Sequence, residues 1–231
     1  MPESVPIQSL SEFDTPTICN AIEVIAPERR THGFTTKPFL CHDPSLPPIV
    51  GYARTATIRA TAPSGRSKAE DLSTRIGYFR HIAEAPGPTV TVIEDIDEQV
   101  GFGAHWGEVN SNLHKGLGSV GVITNGSIRD ADMWAEGFGA LAGFYSPSHA
   151  WVHVVDYAIP VTVHGMAVSP GDIIHADRHG AVVVPPSAVT AIADTVKRLE
   201  TAEAKLIEPS QQPEFNIEQL ITILDPDGRD H

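Results

Sequence analysis

Between Gly101 and Trp134 the chain reads GFGAHWGEVNSNLHKGLGSVGVITNGSIRDADMW, and no other stretch restricts the fold as much. A Gly-rich loop carrying Gly101, Gly103 and Gly107 leads through Glu108 into a helix-like run. The short apolar strand Val120 to Thr124 follows, then a tight Asn125-Gly126 turn, beyond which Arg129 and Asp130 open another helix. With the β run Thr89 to Glu94 ahead of it, the order is strand, loop, helix, strand, turn, helix. Acidic, basic and Gly-rich elements converge here in a pattern that looks chemical, so the stretch reads as half of an active site.

The flanks set the class. Phe13-Asp14-Thr15-Pro16-Thr17 is a helix start, with Asp14 or Thr15 as N-cap and Pro16 where its missing N–H costs nothing. Ile18, Ala21, Ile22 and Ile25 keep helical spacing until Pro27. Residues 1–12 read as an arm and 28–48 as loop. Ile49 to Ala60 alternates like a strand, and Glu70 to Ala85 reads as an amphipathic helix stopped by Pro86-Gly87-Pro88. Ala140 to Tyr145, Ile159 to Val163, Asp172 to Ala176 and Ala181 to Val184 read as strands. Turn signals at Ser169-Pro170-Gly171-Asp172 and Asp177-Arg178-His179-Gly180 separate the last three. A helix from Ser187 to about Ile207 closes the compact part, and the apolar segment Phe215 to Leu224 lies in the tail. This mixture predicts an α/β fold with a β-rich second layer, in one domain over 13–207 followed by a C-terminal tail, 208–231.

Composition narrows the partners. A chain of 231 residues with 41% hydrophobic content fits one large domain with a real core. A formal net charge of -13 argues against nucleic acid or an anionic membrane as partner, because either repels such a surface. No run of 18 apolar residues and no signal-like start is present, and Cys19 and Cys41 read as free thiols, which together predict a cytoplasmic protein.

Several residues have two readings each. Arg129 can clamp a carboxylate bidentately and Asp130 can bind a hard cation, or the pair is a solvated Arg beside a helix-start Asp. Glu108 is an acid presented by an anion-binding glycine loop, or a first-turn acid of a helix. Val189, Ile192, Val196 and Leu199 form an apolar stripe that reaches Glu203 and then Leu206. Glu203 therefore marks either fraying into solvent or an interface or pocket. The 11 histidines contain no HExxH and no compact tetrahedral spacing, which argues against a zinc site.

Gly107-Glu108, followed by Gly121-Val122-Ile123 and Asn125-Gly126-Ser127-Ile128-Arg129-Asp130, resembles the signature of the RraA-like family. That family includes the class II aldolases of 4-hydroxy-4-methyl-2-oxoglutarate and 4-carboxy-4-hydroxy-2-oxoadipate. Glu108 precedes Asp130 by 22 positions, the interval the aldolase branch carries. The resemblance extends to Thr15–Ala21, Ser169-Pro170-Gly171-Asp172, and Asp177 with Gly180 before AVVVP.

The resemblance implies a swivelling β/β/α-type fold, assembled as a homotrimer or homohexamer, and a lyase that releases pyruvate from a 2-oxo acid, with oxaloacetate decarboxylation through the same enolate. It implies a divalent metal, Mg²⁺ or Mn²⁺, held near Asp130 mostly through waters, with Glu108 nearby. Arg129 is then the group on the keto-acid end, and Ala104, His105, Trp106 and Gly107 supply backbone N–H groups to the substrate carboxylate. A glutamate from a neighbouring subunit's C-terminal helix completes the site, Glu203 by the apolar stripe or Glu200 if the match slips by a turn. Asn125 stands where many relatives have Asp, and His105, Trp106, Asn110 and Lys115 also depart from the pattern, which leaves the substrate open. The family's other branch consists of non-catalytic ribonuclease E inhibitors. Retention of Asp130 and of a long C-terminal helix favours the enzyme reading, and a lyase or hydrolase acting on another keto acid stands beside it.

Overall fold

The apolar strand read at 49–60 becomes the spine of the main sheet, bonded to neighbours on both sides along its length. The computed structural model describes residues 7–85 and 87–225. A 3-10 turn at Ile7–Glu12 precedes helix α1 (Thr15–Ile25), strand β1 (Leu40–Cys41) and the spine strand β2 (Ile49–Arg59). Next come α2 (Lys68–Ala83), β3 (Thr89–Asp95), β4 (Ala104–Trp106), α3 (Glu108–Gly116), β5 (Ser119–Thr124) and β6 (Ser127–Ile128). Strands β7 (Gly139–Ala142), β8 (Phe144–Tyr145), β9 (His153–Tyr157), β10 (Val161–Val163) and β11 (Met166–Val168) follow. The described chain ends with β12 (Ile173–Asp177), β13 (Gly180–Val184), α4 (Val189–Ser210) and α5 (Ile217–Leu224).

The main sheet has the order β1-β7-β5-β3-β2-β12-β13, with β9 also pairing to β2. Strands β7, β5, β3 and β2 are parallel, and the outer pairings are antiparallel. The parallel strands are apolar on both faces, as sheets covered on two sides require: Val90, Val92, Ile93, Val122 and Ile123 are all fully buried. Past their carboxyl ends, β3, β5 and β7 each turn and continue into a second, smaller parallel sheet of order β4-β6-β8. The small sheet thus repeats the order of its parents one layer further on. This is a mixed α/β domain with a β-rich second layer.

Close backbone approaches hold the step between the layers. The Asn125 side chain accepts from the Asp95 N–H (2.8 Å) and donates to the Asp95 carbonyl (3.0 Å), tying the end of β5 to the end of β3. Gly143 packs so closely on the next turn that a Cβ there would lie 2.2 Å from the Asn125 carbonyl oxygen.

Helix α1 starts as the sequence directs, with Asp14 as its N-cap accepting from the Thr17 N–H. It packs with α4 against β12 and β13 around Ile18, Ile22, Val184, Ile192 and Val196. Residues 7–12 are not an arm: Ile7 and Leu10 are buried in this same cluster. Residues 1–6 lie outside the description, as do Pro86 of the α2 stop and residues 226–231 of the tail. The loop region 28–48 contains β1, and Ala140–Tyr145 is two strands in different sheets rather than one, because Gly143 turns the chain between them. Strands β9 and β11 were missed; at five and three residues they offer almost no periodicity. The buried face of α4 ends at Val196, and α5 buries none of its residues. No helix among the described residues is long and apolar enough to cross a membrane.

A buried polar chain joins α2 to α3. The Tyr78 hydroxyl donates to His114 Nε2 (2.6 Å), and His114 Nδ1 donates to the Asn110 carbonyl (2.6 Å). Burial holds the His114 imidazole down at about 4, against 6.5 for a free histidine, and its hydrogen bond to Asn110 opposes this. The folded-state value is depressed, so His114 contributes nothing unfavourable above pH 6.5, where it is neutral folded or unfolded. Below 6.5 the unfolded chain takes up a proton that the folded chain refuses, and stability is lost until about pH 4. Denaturant titrations from pH 7.5 to 4 are expected to show the unfolding free energy falling, by up to about 1.4 kcal/mol per pH unit from this group. His114→Gln should flatten that slope.

Candidate functional site

Arg129 and Asp130 follow directly on the two-residue strand β6, whose pairing with β4 sets their position. The Arg129 N–H donates to the Trp106 carbonyl (2.9 Å), and its own carbonyl accepts from Trp134 Nε1 (2.7 Å). Asp130 has φ 54°, in the left-handed region that Asp tolerates better than most residues. Only a three-residue 3-10 turn, Ala131–Met133, comes after it. The helix expected to open at Arg129–Asp130 is therefore absent, because the left-handed Asp130 cannot continue a right-handed turn. The pair sits instead at the start of a different helix: Glu108, the first residue of α3, donates its N–H to Asp130 Oδ2 at 3.4 Å. Arg129 Nε lies 3.4 Å from the same oxygen.

The three glycines have different roles. The Gly101 N–H is taken by Asp95 Oδ2 (2.8 Å), and a Cβ on Gly101 would collide with the Phe144 ring at 2.4 Å. A Cβ on Gly103 would meet the His149 carbonyl oxygen at 2.5 Å. Those two are packing glycines, which corrects the reading of the whole loop as an anion cradle. Gly107 is the one facing the acid: a Cβ there would fall 2.5 Å from Asp130 Oδ2 and 3.1 Å from Arg129 Cγ.

Strand β4 alternates. Ala104 and Trp106 point into the core and are buried, whereas His105 and Gly107 lie on the opposite face. The Ala104 N–H is already donated to the Ser148 carbonyl (2.8 Å). His105 and Gly107 join Arg129 and Asp130 in lining a cavity of about 490 Å³. Glu108 is exposed beside it, at the head of α3, and Lys115 at the far end of that helix donates to the Glu136 carbonyl. Glu200 and Glu203 are exposed on α4 and do not line the cavity.

The remaining walls were not read from sequence. Helix α2 and the residue before its cap supply Arg66, Asp71, Arg75, Tyr78 and Phe79; the segment into β9 supplies His149, Val152 and His153. The only available signal was the strong helix start at Ser67, whose side chain and that of Glu70 form a capping box. The arginines differ in what they can still do. Arg66 binds Asp71 through Nε (2.8 Å), Thr74 (3.1 Å) and the Val154 and Val155 carbonyls, so its donors are spent within the fold. Arg75 lies over the Phe79 ring, 5.7 Å from its centroid, and has no acidic partner among the described residues. Arg129 keeps its two terminal nitrogens unbonded among the described residues, with Nε on Asp130. The site thus offers two available guanidinium groups in a protein of net charge -13.

Among the described residues no group of three or more His, Cys, Asp or Glu is placed to hold a metal ion. A caged site of the zinc or calcium kind does not fit this donor set. Magnesium-type binding does, because that ion takes one or two carboxylates and keeps several waters. Asn125 is no ligand substitute: both ends of its amide are committed to the Asp95 backbone, a pairing that an acceptor-only Asp could not make. A second cavity, about 240 Å³ and lined by Glu12, Asp14, Asp43 and Asp177, is acidic; Asp177 there is tied to the Thr15 and His179 N–H groups.

The division among the arginines is testable by stability alone. Arg66→Ala leaves partly buried carbonyls unpaired and is expected to cost about 1–3 kcal/mol in urea unfolding. Arg75→Ala should stay within about 1 kcal/mol of wild type.

Comparisons agree with this architecture. Residues 15–183 match the family described as RraA-like (Aldolase/RraA). An uncharacterized protein of Methanocaldococcus jannaschii is 30% identical over 119 residues, which is 49% of this chain and 57% of that protein's length. Streptomyces coelicolor RraAS2, described as an unusual member of the RNase ES inhibitor RraA protein family, superposes with a TM-score of 0.66 at 23% identity. That superposition covers 87% of this chain and 95% of the other. An uncharacterized protein from Pseudomonas syringae pv. tomato gives a TM-score of 0.69 at 18% identity, covering 96% and 95%. By the match over most of its length and by its fold, the chain belongs to the RraA-like family.

Proposed function

We propose that this chain is a divalent-metal-dependent carbon–carbon lyase that cleaves a 4-hydroxy-2-oxo acid to pyruvate and a second carbonyl compound. The observation carrying this reading is the Arg129–Asp130 pair at the head of α3, with Gly107 leaving the acid room on one wall of a large cavity. Asp130, with Glu108 nearby, would hold Mg²⁺ or Mn²⁺ chiefly through water; when bound, the ion supplies Lewis acidity at the keto-acid end.

The chain's own groups account for the rest. The Arg129 terminal N–H groups suit the carboxylate and keto oxygens of a 2-oxo acid. When the C3–C4 bond breaks, negative charge gathers on the enolate oxygen. A fixed guanidinium and the positive end of α3 favour that charge more than the uncharged ketone. The hydroxyl proton passes to water as the C3–C4 bond breaks and the C4 carbonyl forms, and enolate C3 takes a proton back from water to give pyruvate. Loss of CO₂ from oxaloacetate generates the same enolate, so one site serves both reactions.

The competing reading is a protein-binding regulator, after the described role of RraAS2. The exposed apolar side chains of α5 (Ile217, Ile221 and Leu224) favour association with another protein surface. They favour equally a second copy of this chain in a homotrimer or homohexamer, which is how Glu203 or Glu200 would reach a neighbouring cavity.

A panel of 2-oxo acids assayed for pyruvate with Mg²⁺ or Mn²⁺ tests the function. Chelation should abolish release, and Asp130→Ala, Arg129→Ala and Gly107→Ala should each lower it by about 10²-fold or more. Turnover that survives chelator or Asp130→Ala would sink the lyase reading, and capture of ribonuclease E would then support the regulator. Sharing of sites between copies is tested by mixing Asp130→Ala with Glu203→Gln. Recovered activity is expected if Glu203 acts across an interface, and two variants that stay inactive together count against it.

A further inference from the structure

We propose that Arg75 binds a second anionic group of the ligand, so that this cavity selects 2-oxo acids carrying a further carboxylate. The inference rests on the reading of Arg129 as the 2-oxo acid anchor given above.

Charge balance around the cavity singles out this residue. Arg66, Arg75 and Arg129 line it together with only two acids, Asp71 and Asp130. Both acids are committed. Asp71 takes Arg66 Nε on Oδ1 (2.8 Å) and the Ser64 hydroxyl on Oδ2 (2.9 Å). Asp130 Oδ2 faces Arg129 Nε and the Glu108 N–H, each at 3.4 Å. Asp71 lies one helical turn before Arg75, the spacing at which an acid and a base on one helix pair. Ser64 and Arg66, on the lead-in to the helix, have taken that acid instead. Arg75 is left with no acidic partner and no side-chain hydrogen bond among the described residues.

Its place is set without spending its donors. Asp71, Arg75, Tyr78 and Phe79 share one face of α2, and all four line the cavity. The Arg75 guanidinium carbon lies 5.7 Å from the centroid of the Phe79 ring. That ring packs in turn on the buried Tyr78 (5.4 Å between centroids) and His114 (5.5 Å). A guanidinium resting on an aromatic face is held there with its N–H edge free, and that edge matches a carboxylate bidentately.

The rest of the cavity suits a ligand that engages both arginines. Its volume of about 490 Å³ is in the range that encloses a whole small-molecule ligand. Phe79, Val109 and Val152 supply apolar lining for the carbons that join two charged ends. A monoanion at Arg129 would leave Arg75 without a counter-charge, whereas a dianion satisfies both. In a chain of net charge -13 a dianion is also repelled more than a monoanion at long range, so selecting it requires a local unpaired cation of this kind.

The test uses two probes of equal chain length that differ only in their last group, 2-oxoglutarate and 2-oxopentanoate. Each is titrated by calorimetry, with Mg²⁺ present, into wild type, Arg75→Ala and Arg75→Lys, with thermal melting as the folding check. Wild type should bind 2-oxoglutarate more tightly by about tenfold, the lower end for hydrogen bonds to charged groups. Arg75→Ala should erase that preference by weakening 2-oxoglutarate alone, leaving 2-oxopentanoate within about threefold of wild type. Arg75→Lys, which keeps the charge but not the fork, should restore part of it. Equal weakening of both probes in Arg75→Ala would make Arg75 a support of the wall and overturn the proposal. A wild type without preference, or a preference that survives Arg75→Ala, would overturn it as well. Failure of the wild type to bind either probe would remove the 2-oxo acid anchor, and this inference with it. An Arg75-dependent preference in a protein that releases no pyruvate from any 2-oxo acid would sink the lyase reading and leave this inference standing.

Discussion

Two hydrogen bonds from one amide, Asn125 to the backbone of Asp95, fix the geometry on which the rest of this molecule depends. They lock the carboxyl ends of β3 and β5 together at the point where both strands leave the main sheet. A mismatch there would shift β4 against β6, and with it Gly107 against Asp130. Gly126 and Gly143 complete the lock, since the Gly143 N–H donates to the Gly126 carbonyl (3.0 Å), Gly143 has no room for a side chain, and a Cβ on Gly126 would press on Asp95 and Thr124 at 3.2 Å. A crevice beyond the carboxyl ends of parallel strands is where open α/β sheets place their ligands. Here a second parallel sheet occupies part of that crevice and carries the polar residues of the site.

Much of the framework was legible because it follows strong local rules. Asp14 capped its helix, Thr89–Glu94 and Val120–Thr124 formed strands of the main sheet, buried but for Val120 and the half-buried Glu94, and the apolar stripe of α4 was buried as far as Val196. The interval and the family resemblance paired Glu108 with Asp130, and the structure brings the Glu108 backbone N–H to that acid while the Glu108 side chain stays exposed. What stayed hidden was set by tertiary contact. Strands of two residues, such as β6 and β8, have no periodicity to read, and they exist because parent strands deliver them side by side. The left-handed Asp130 ended a helix that its sequence alone favours. Gly101 and Gly103 looked like Gly107 in sequence, and only the Phe144 ring and the His149 carbonyl against them reveal a different purpose. The contribution of α2 had only its capping box at Ser67 and Glu70, which marks a helix start and says nothing of a site.

Electrostatics within the site runs against the charge of the whole. An acidic surface repels anions at long range, yet α3's amino end, Arg129 and Arg75 favour them at close range, where screening by salt is weakest. Arg66, identical in type and close by, is withdrawn from this task by Asp71 and two carbonyls. Side-chain identity therefore says little here about role, and the count of committed donors says much.

The wall formed by α2 is mixed at its cavity-facing surface, with Tyr78 buried and Arg66 tied into the fold, but Arg75 loosely held. Arg75 is exposed and Val109 across from it is 64% exposed, whereas the anchor beneath is gripped by Trp106, Ile128 and the paired short strands. Replacements at the exposed wall positions Arg75 and Val109 leave the core unstrained, while replacements at Tyr78, Arg66, Gly107 or Asn125 do not have that freedom. A lineage carrying this scaffold can thus vary the exposed outer wall of this cavity by single steps and keep the inner wall unchanged, so diversification follows the border between the two sheets.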